Sequence, residues 1–160
     1  MNEQQNEQQA PVFSIEKVYA KDISLEIPNA PQVFLERENP SIEMQLHTEA
    51  ANMEEGLYEV VVTVTVTAKL AEKTVFLVEA AQAGIFQLRN LPVENLDPIL
   101  GVACPNILFP YVRETISDLV TRAGFPPVLL APVNFEAMYA QRIQAQQQAQ
   151  QGVPAGEMIQ

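Results

Sequence analysis

From Tyr58 to Leu70 apolar and polar positions alternate along the chain. Tyr58, Val60, Val62, Val64, Val66, Ala68 and Leu70 stand at the even positions, and Glu59, Val61, Thr63, Thr65, Thr67 and Lys69 at the odd ones. Side chains alternate sides of a strand, so this spacing predicts one apolar face and one Thr-rich face. Ala71-Glu72-Lys73 supplies a turn, and Thr74–Gln82, rich in β-branched and aromatic residues, predicts a returning strand. Such a hairpin is marginal alone. The rest of the chain is therefore expected to be built around it.

Val12–Ile27 carries a strand pattern with a defect. Phe13, Ile15, Ile23, Leu25 and Ile27 share a parity with Lys17, Tyr19 and Lys21, which predicts a bulge near Tyr19. Asp22 and Glu26, four residues apart, fall on one side of the sheet. Pro28-Asn29-Ala30-Pro31 ends the strand, because proline lacks a donor and restricts its neighbour. Gln32–Pro40 reads as a loop carrying the apolar run Val33-Phe34-Leu35. Ser41–Ala51 alternates again, with Ile42, Met44 and Leu46 set against Glu43, Gln45, His47 and Glu49. The connection before it is too long for a tight hairpin. A crossover of the sheet and an antiparallel pair with a long lid both satisfy the pattern. Asn52–Gly56 is the next turn. After Gln82, Ala83-Gly84 breaks the regular strand, which Ile85–Leu88 continues past a bulge.

Asn95–Ala103 predicts a short helix with Asn95 as N-cap. Pro105 suits the first turn of another helix, in which Phe109, Val112, Ile116, Leu119, Val120 and Ala123 form one stripe. Pro110 inside that stripe predicts a kink or a later start, and Gly124 with Pro126-Pro127 predicts the end. Asn134 caps a last helix whose face holds Phe135, Met138, Tyr139, Arg142 and Ile143, with Val133 and Met138 placed for a hydrophobic staple. The Gln/Ala run after Ile143 has no apolar face and is expected to fray. Strands followed by helices imply an α+β fold: a four-stranded antiparallel sheet with two C-terminal helices packed on one face.

Length and composition fit one globular domain: 160 residues, 17.8 kDa and 48% apolar. Residues 1–11 are expected to form a disordered tail, 12–143 the domain, and 144–160 a flexible Gln-rich tail. A formal charge of −11 argues against nucleic acid or an anionic membrane as partner and favours a basic one. The beginning of the chain lacks the basic and apolar regions of a signal peptide, and no apolar run is long enough to span a bilayer. Cys104 is the lone cysteine, which fits a reducing cytoplasm and a buried hydrophobic role.

Candidate chemistry is sparse. The sequence carries one His and one Cys, and no Gly-rich phosphate loop, CxxC or HExxH. His47 on a polar strand face reads as solvated, and Glu54-Glu55 and Asp22/Glu26 read as surface charge rather than as an acid/base or metal pair. No catalytic residue, metal or cofactor is expected. Surface is the remaining signal. Leu77 shares the parity of Glu79, so a leucine stands beside carboxylates on an open sheet face, which is an interface signature. Two helices cover too little of such a sheet, and oligomerisation or an apolar groove accounts for the surplus.

Several strings together resemble the SecB family of bacterial protein-export chaperones. They are Tyr19–Ser24 (YAKDIS), Pro28–Pro31 (PNAP), Tyr58–Val61 (YEVV), Val64–Thr67 (VTVT), Gly84–Phe86 (GIF), Cys104–Tyr111 (CPNILFPY) and Leu130–Phe135 (LAPVNF). The resemblance implies a homotetramer, a dimer of dimers with helices between the sheets. Its implied function is ATP-independent holding of unfolded precursor proteins and their delivery to the export ATPase SecA, without nucleic acid or membrane insertion. It assigns client binding to Val33, Phe34, Ile42, Met44, Leu46, Phe135 and Tyr139. SecA docking falls to Asp22, Glu26, Leu77 and Glu79, and an oligomer face to Phe76, Val78 and Ala80. Many members carry a tryptophan after Phe34; this chain has none and places Glu38 there.

Two other classes compete. An oligomeric adaptor would bind a folded basic partner without holding clients. A small-molecule enzyme would need a convergent polar pocket, which the sequence does not offer.

Overall fold

A computed structural model describes residues 9–152 of the chain. Most of the two expected tails, residues 1–8 and 153–160, lies outside the described residues. Four antiparallel strands, β1 (Val12–Glu26), β2 (Ser41–Glu54), β3 (Leu57–Leu70) and β4 (Lys73–Arg89), form one sheet in the order β1-β4-β3-β2. Strands β2, β3 and β4 follow one another as hairpins, and β1 lies beside β4, a Greek-key order. The segment between β1 and β2 thus carries the chain from one edge of the sheet to the other, which settles the crossover alternative. A short 3-10 turn, Gln32–Leu35, lies within it.

The alternation of β3 governs the layers. Val60, Val62, Val64, Val66 and Ala68 are fully buried under the helices, while Thr63, Thr65 and Thr67 face the other side. Strand β1 solves its parity defect with two bulges rather than one, at the register shifts between Ile15 and Lys17 and between Ala20 and Asp22. The first flips the alternation and the second restores it. Phe13 and Ile15 therefore share the helix-side face with Val18, Ala20, Ile23 and Leu25, since each pairs with a helix-side residue of β4. Lys17 and Tyr19 face outward.

Strand β4 runs unbroken through Ala83-Gly84, in regular register with β3, so the expected break and bulge at that point are corrected. A Cβ at Gly84 would lie 2.8 Å from the Phe86 ring and 3.0 Å from Leu108. The glycine is a seat for the overlying helix, not an interruption.

The helical half is also more continuous than expected. Helix α1 (Val93–Pro98), a π-helical segment (Ile99–Ala103) and helix α2 (Cys104–Arg122) form one run, so Asn95 is not an N-cap but lies inside the first turn. Pro98, Pro105 and Pro110 each lack an N–H, and the π segment shifts the hydrogen-bond register between the first two: the Cys104 N–H reaches the Ile99 carbonyl. Helix α2 lies over β3 and β4 and buries Leu108, Phe109, Val112, Ile116 and Val120. Gly124 takes a positive φ of 91° where the helix ends.

Helix α3 (Phe135–Gln151) starts as expected, with the Asn134 side chain accepting from the Ala137 N–H at 3.0 Å. It packs chiefly on the π segment, and Phe135 is its one buried residue. The Gln/Ala run expected to fray stays helical to Gln151, because Ala and Gln are good helix formers even without an apolar face.

Candidate functional site

Helix α2 covers the middle of the sheet and leaves the helix-side face of β2 partly bare. Ile42, Met44 and Leu46 pair with Ala68, Val66 and Val64 and so line one row on that face. Ile42 and Met44 remain 45% and 42% exposed, although both belong by parity to the apolar side. An exposed apolar row on the inner face of an edge strand is a candidate binding surface.

The row ends in a cleft of about 240 Å³ lined by Leu46, Thr48, Gly101, Phe135, Met138, Tyr139 and Arg142. Phe135 anchors the helical wall through an edge-on contact with Phe109, at a centroid distance of 5.9 Å. The Tyr139 hydroxyl donates to Asp97 Oδ2 at 2.8 Å, which raises the phenol pKa above its ordinary value, and the Arg142 guanidinium stands 5.3 Å from the Tyr139 ring. Gly101 makes the close approach workable, since a Cβ there would lie 2.9 Å from both Tyr139 and Arg142. Asp97, Gly101 and Arg142 were not legible as site residues. Arg142 shares a helix face with Tyr139, but Asp97 and Gly101 lie on other elements, and nothing in their local sequence pairs them with Tyr139.

Of the seven residues expected to bind clients, Leu46, Phe135 and Tyr139 meet at this cleft, with Met44 and Ile42 extending it along β2. Val33 and Phe34 stand elsewhere, in the crossover. Val33 is buried in the core, whereas Phe34 is 48% exposed and stacks on Phe125 at 5.1 Å, which in turn touches Phe76 at 5.1 Å. Phe125 thus links the crossover to the core, a connection invisible to periodicity because the residue follows the helix end.

The opposite face of the sheet gathers the four docking candidates. Glu26 pairs with Leu77, Ser24 with Glu79 and Asp22 with Ala81, so all four project outward from two neighbouring strands. The Thr65 hydroxyl donates to Glu79 Oε2 at 2.7 Å and fixes its direction. Further along the face, Glu59 accepts from the Tyr19 hydroxyl and from Lys21 Nζ, the latter at 2.8 Å. Lys21 first and Tyr19 second hold the Glu59 carboxyl below the usual carboxylate range, and the bond to Glu59, with burial, pushes the Tyr19 phenol up to about 12. The sequence showed Glu59 as the charge heading a Thr-rich face, but its partners come from β1, across β4.

Phe76, Val78 and Ala80 are buried in this one chain, beneath α2. They were expected on an oligomer face; their side chains are covered within the subunit, so a part in assembly would pass through the seating of α2. Three apolar residues do remain open on the helix-side face of β1, namely Phe13, Ile15 and Ile23. Cys104 is fully buried, and burial pushes its thiol up to about 12. Among the described residues no cluster of His, Cys, Asp and Glu is placed to hold a metal ion, and no helix is long and apolar enough to cross a membrane.

Comparison with known proteins agrees with this fold. The family model described as "Preprotein translocase subunit SecB" matches residues 6–146. A protein-export protein SecB of Methylobacillus flagellatus is 69% identical over 143 residues, covering 89% of this chain and 91% of the relative. That of Chromobacterium violaceum is 68% identical over 152 residues, covering 95% and 99%. Among solved structures, a SecB-like chaperone of Mycobacterium tuberculosis in complex with a ChAD peptide from an antitoxin aligns with a TM-score of 0.63 at 17% identity. It covers 76% of this chain and 91% of that one, and shows the shared fold. With a family model spanning the sheet, both helical segments and the strings that first suggested it, the chain belongs to the SecB family of protein-export chaperones.

Proposed function

We propose that the protein holds precursor proteins unfolded without ATP, as a homotetramer in the cytoplasm, and hands them to SecA. The observation that carries this reading is the uncovered apolar row of Ile42 and Met44 running into the cleft at Leu46, Phe135 and Tyr139. Such a surface takes extended apolar segments, which unfolded chains expose and folded ones bury, so binding opposes folding and aggregation by mass action. Burial of client side chains supplies the driving force, at about 25 cal/mol per Å². Grooves repeated over an oligomer raise avidity without tight single contacts. The peptide bound to the Mycobacterium tuberculosis relative supports a polypeptide as ligand.

The handover rests on the other face. Asp22, Glu26 and Glu79 around Leu77 present negative charge on a rigid sheet, suited to a basic surface of SecA. The surplus at Phe13, Ile15 and Ile23 supports assembly through the β1 side. In a light-scattering assay, the protein should suppress aggregation of an unrelated unfolded polypeptide without ATP; aggregation at the control rate rejects the holding role. In a titration, Asp22→Lys with Glu79→Lys should weaken SecA binding and leave client holding and oligomer size intact. Unchanged SecA affinity rejects the docking assignment.

A further inference from the structure

One cation stands beside the acidic patch and is held away from it. Lys21 is the extra residue of the second β1 bulge, so its side chain emerges on the same side as its neighbour Asp22. Asp22, Glu26 and Glu79 have no ion pair among the described residues, although Lys21 is the chain neighbour of Asp22. Its Nζ instead turns along the sheet to Glu59 Oε1 at 2.8 Å. Glu59 stands opposite Ile85 on the outer face, whereas Glu79 stands opposite Thr65, three outward-facing rows further along β3. The second oxygen of Glu59 takes the Tyr19 hydroxyl, so the carboxylate that receives the lysine is itself held in place.

We propose that Glu59 is a positioning residue of the docking face, which by binding Lys21 keeps the ammonium off Asp22 and Glu79 and leaves those carboxylates free for a basic partner. Without Glu59, Lys21 becomes the nearest counter-ion of the patch, and an internal pair competes with every cation a partner brings. The two bulges fit this role. They let β1 present Tyr19, Lys21 and Asp22 on one face within four residues, which plain alternation forbids. The inference rests on the docking reading above and adds to it a residue outside the patch.

The test is a titration with purified SecA at low ionic strength, where surface charge is least screened. Glu59→Gln should weaken binding about two- to fivefold, the range expected of one exposed ion pair. Adding Lys21→Gln to that variant should restore the wild-type affinity, which a folding defect would not allow. Glu16→Gln removes the same charge from the same face, beside Tyr19 and Ile85, without a bond to Lys21, and should leave affinity at the wild-type value. Three results overturn the proposal: no effect of Glu59→Gln, no restoration in the double variant, or an equal loss with Glu16→Gln. Asp22→Lys with Glu79→Lys separates the two readings. If it weakens binding while Glu59→Gln does not, docking stands and the role of Glu59 falls; if it has no effect, both fall.

Discussion

A methyl group at Gly84 would press on Phe86 and Leu108 at 2.8 and 3.0 Å, in a core with no slack. Gly84→Ala should therefore cost about 1–3 kcal/mol of stability, read as a lower urea midpoint. Cys104 makes a second residue-scale case. Its folded pKa is raised to about 12 from an ordinary 9.0, so the native state favours the protonated thiol. That contribution is fully present below pH 9 and is lost as pH rises toward 12. The urea midpoint should fall more between pH 9 and 11 in the wild type than in Cys104→Ala. Both roles were partly legible: a glycine in a strand flags either a bulge or a close approach, and a lone cysteine flags burial. Choosing between bulge and close approach required Leu108, which arrives from another element.

At the scale of elements, the strands reward reading by period and the helical run does not. The even positions of β3 are all buried from Val60 to Ala68, as alternation demands. Strand β1 defeats simple parity because two residues are spent on bulges, and a one-residue slip flips every later side chain. Pro105 and Pro110 suggested a separate or later helix start, yet the π segment between Pro98 and Pro105 shifts the hydrogen-bond register and keeps one continuous run. Helix α3 is held at one end by Phe135 and further along by the bond from Tyr139 to Asp97. Phe135→Ala removes the single buried anchor, at a cost of about 3–5 kcal/mol for a core aromatic. Because α3 touches the sheet so little, that cost should appear as local undocking. Hydrogen exchange should rise across Glu136–Gln151 while the β3 and β4 amides keep their protection.

At the scale of the molecule, one long helix on a four-stranded sheet decides what stays open. Helix α2 lies along β3 and β4, so the inner faces of both edge strands keep apolar residues in reach of solvent: Phe13, Ile15 and Ile23 on β1, Ile42 and Met44 on β2. The two rows flank the helix and suit different occupants. Ile42→Ser with Met44→Ser should raise the chaperone concentration needed to stop a client from aggregating and leave the sedimentation coefficient unchanged. Ile15→Asp with Ile23→Asp should lower the sedimentation coefficient; an unchanged value places assembly on another surface.

The sequence by itself determined the strand faces, because alternation is local and a buried face tolerates no slip. It also set Asp22 with Glu26, and Leu77 with Glu79, on one face of their strands, since the first pair lies beyond the last bulge and the second shares one parity; their naming as docking candidates came from the resemblance alone. Long specific strings pointed to the family. Only the tertiary structure decided which apolar residues are spent inside the subunit and which remain outside. Val33, Phe76, Val78, Ala80 and Phe135 are buried, while Ile42, Met44 and Phe34 are not. Periodicity reports which face a side chain is on. Whether that face is covered depends on where α2 lies, and so on residues far away in the chain.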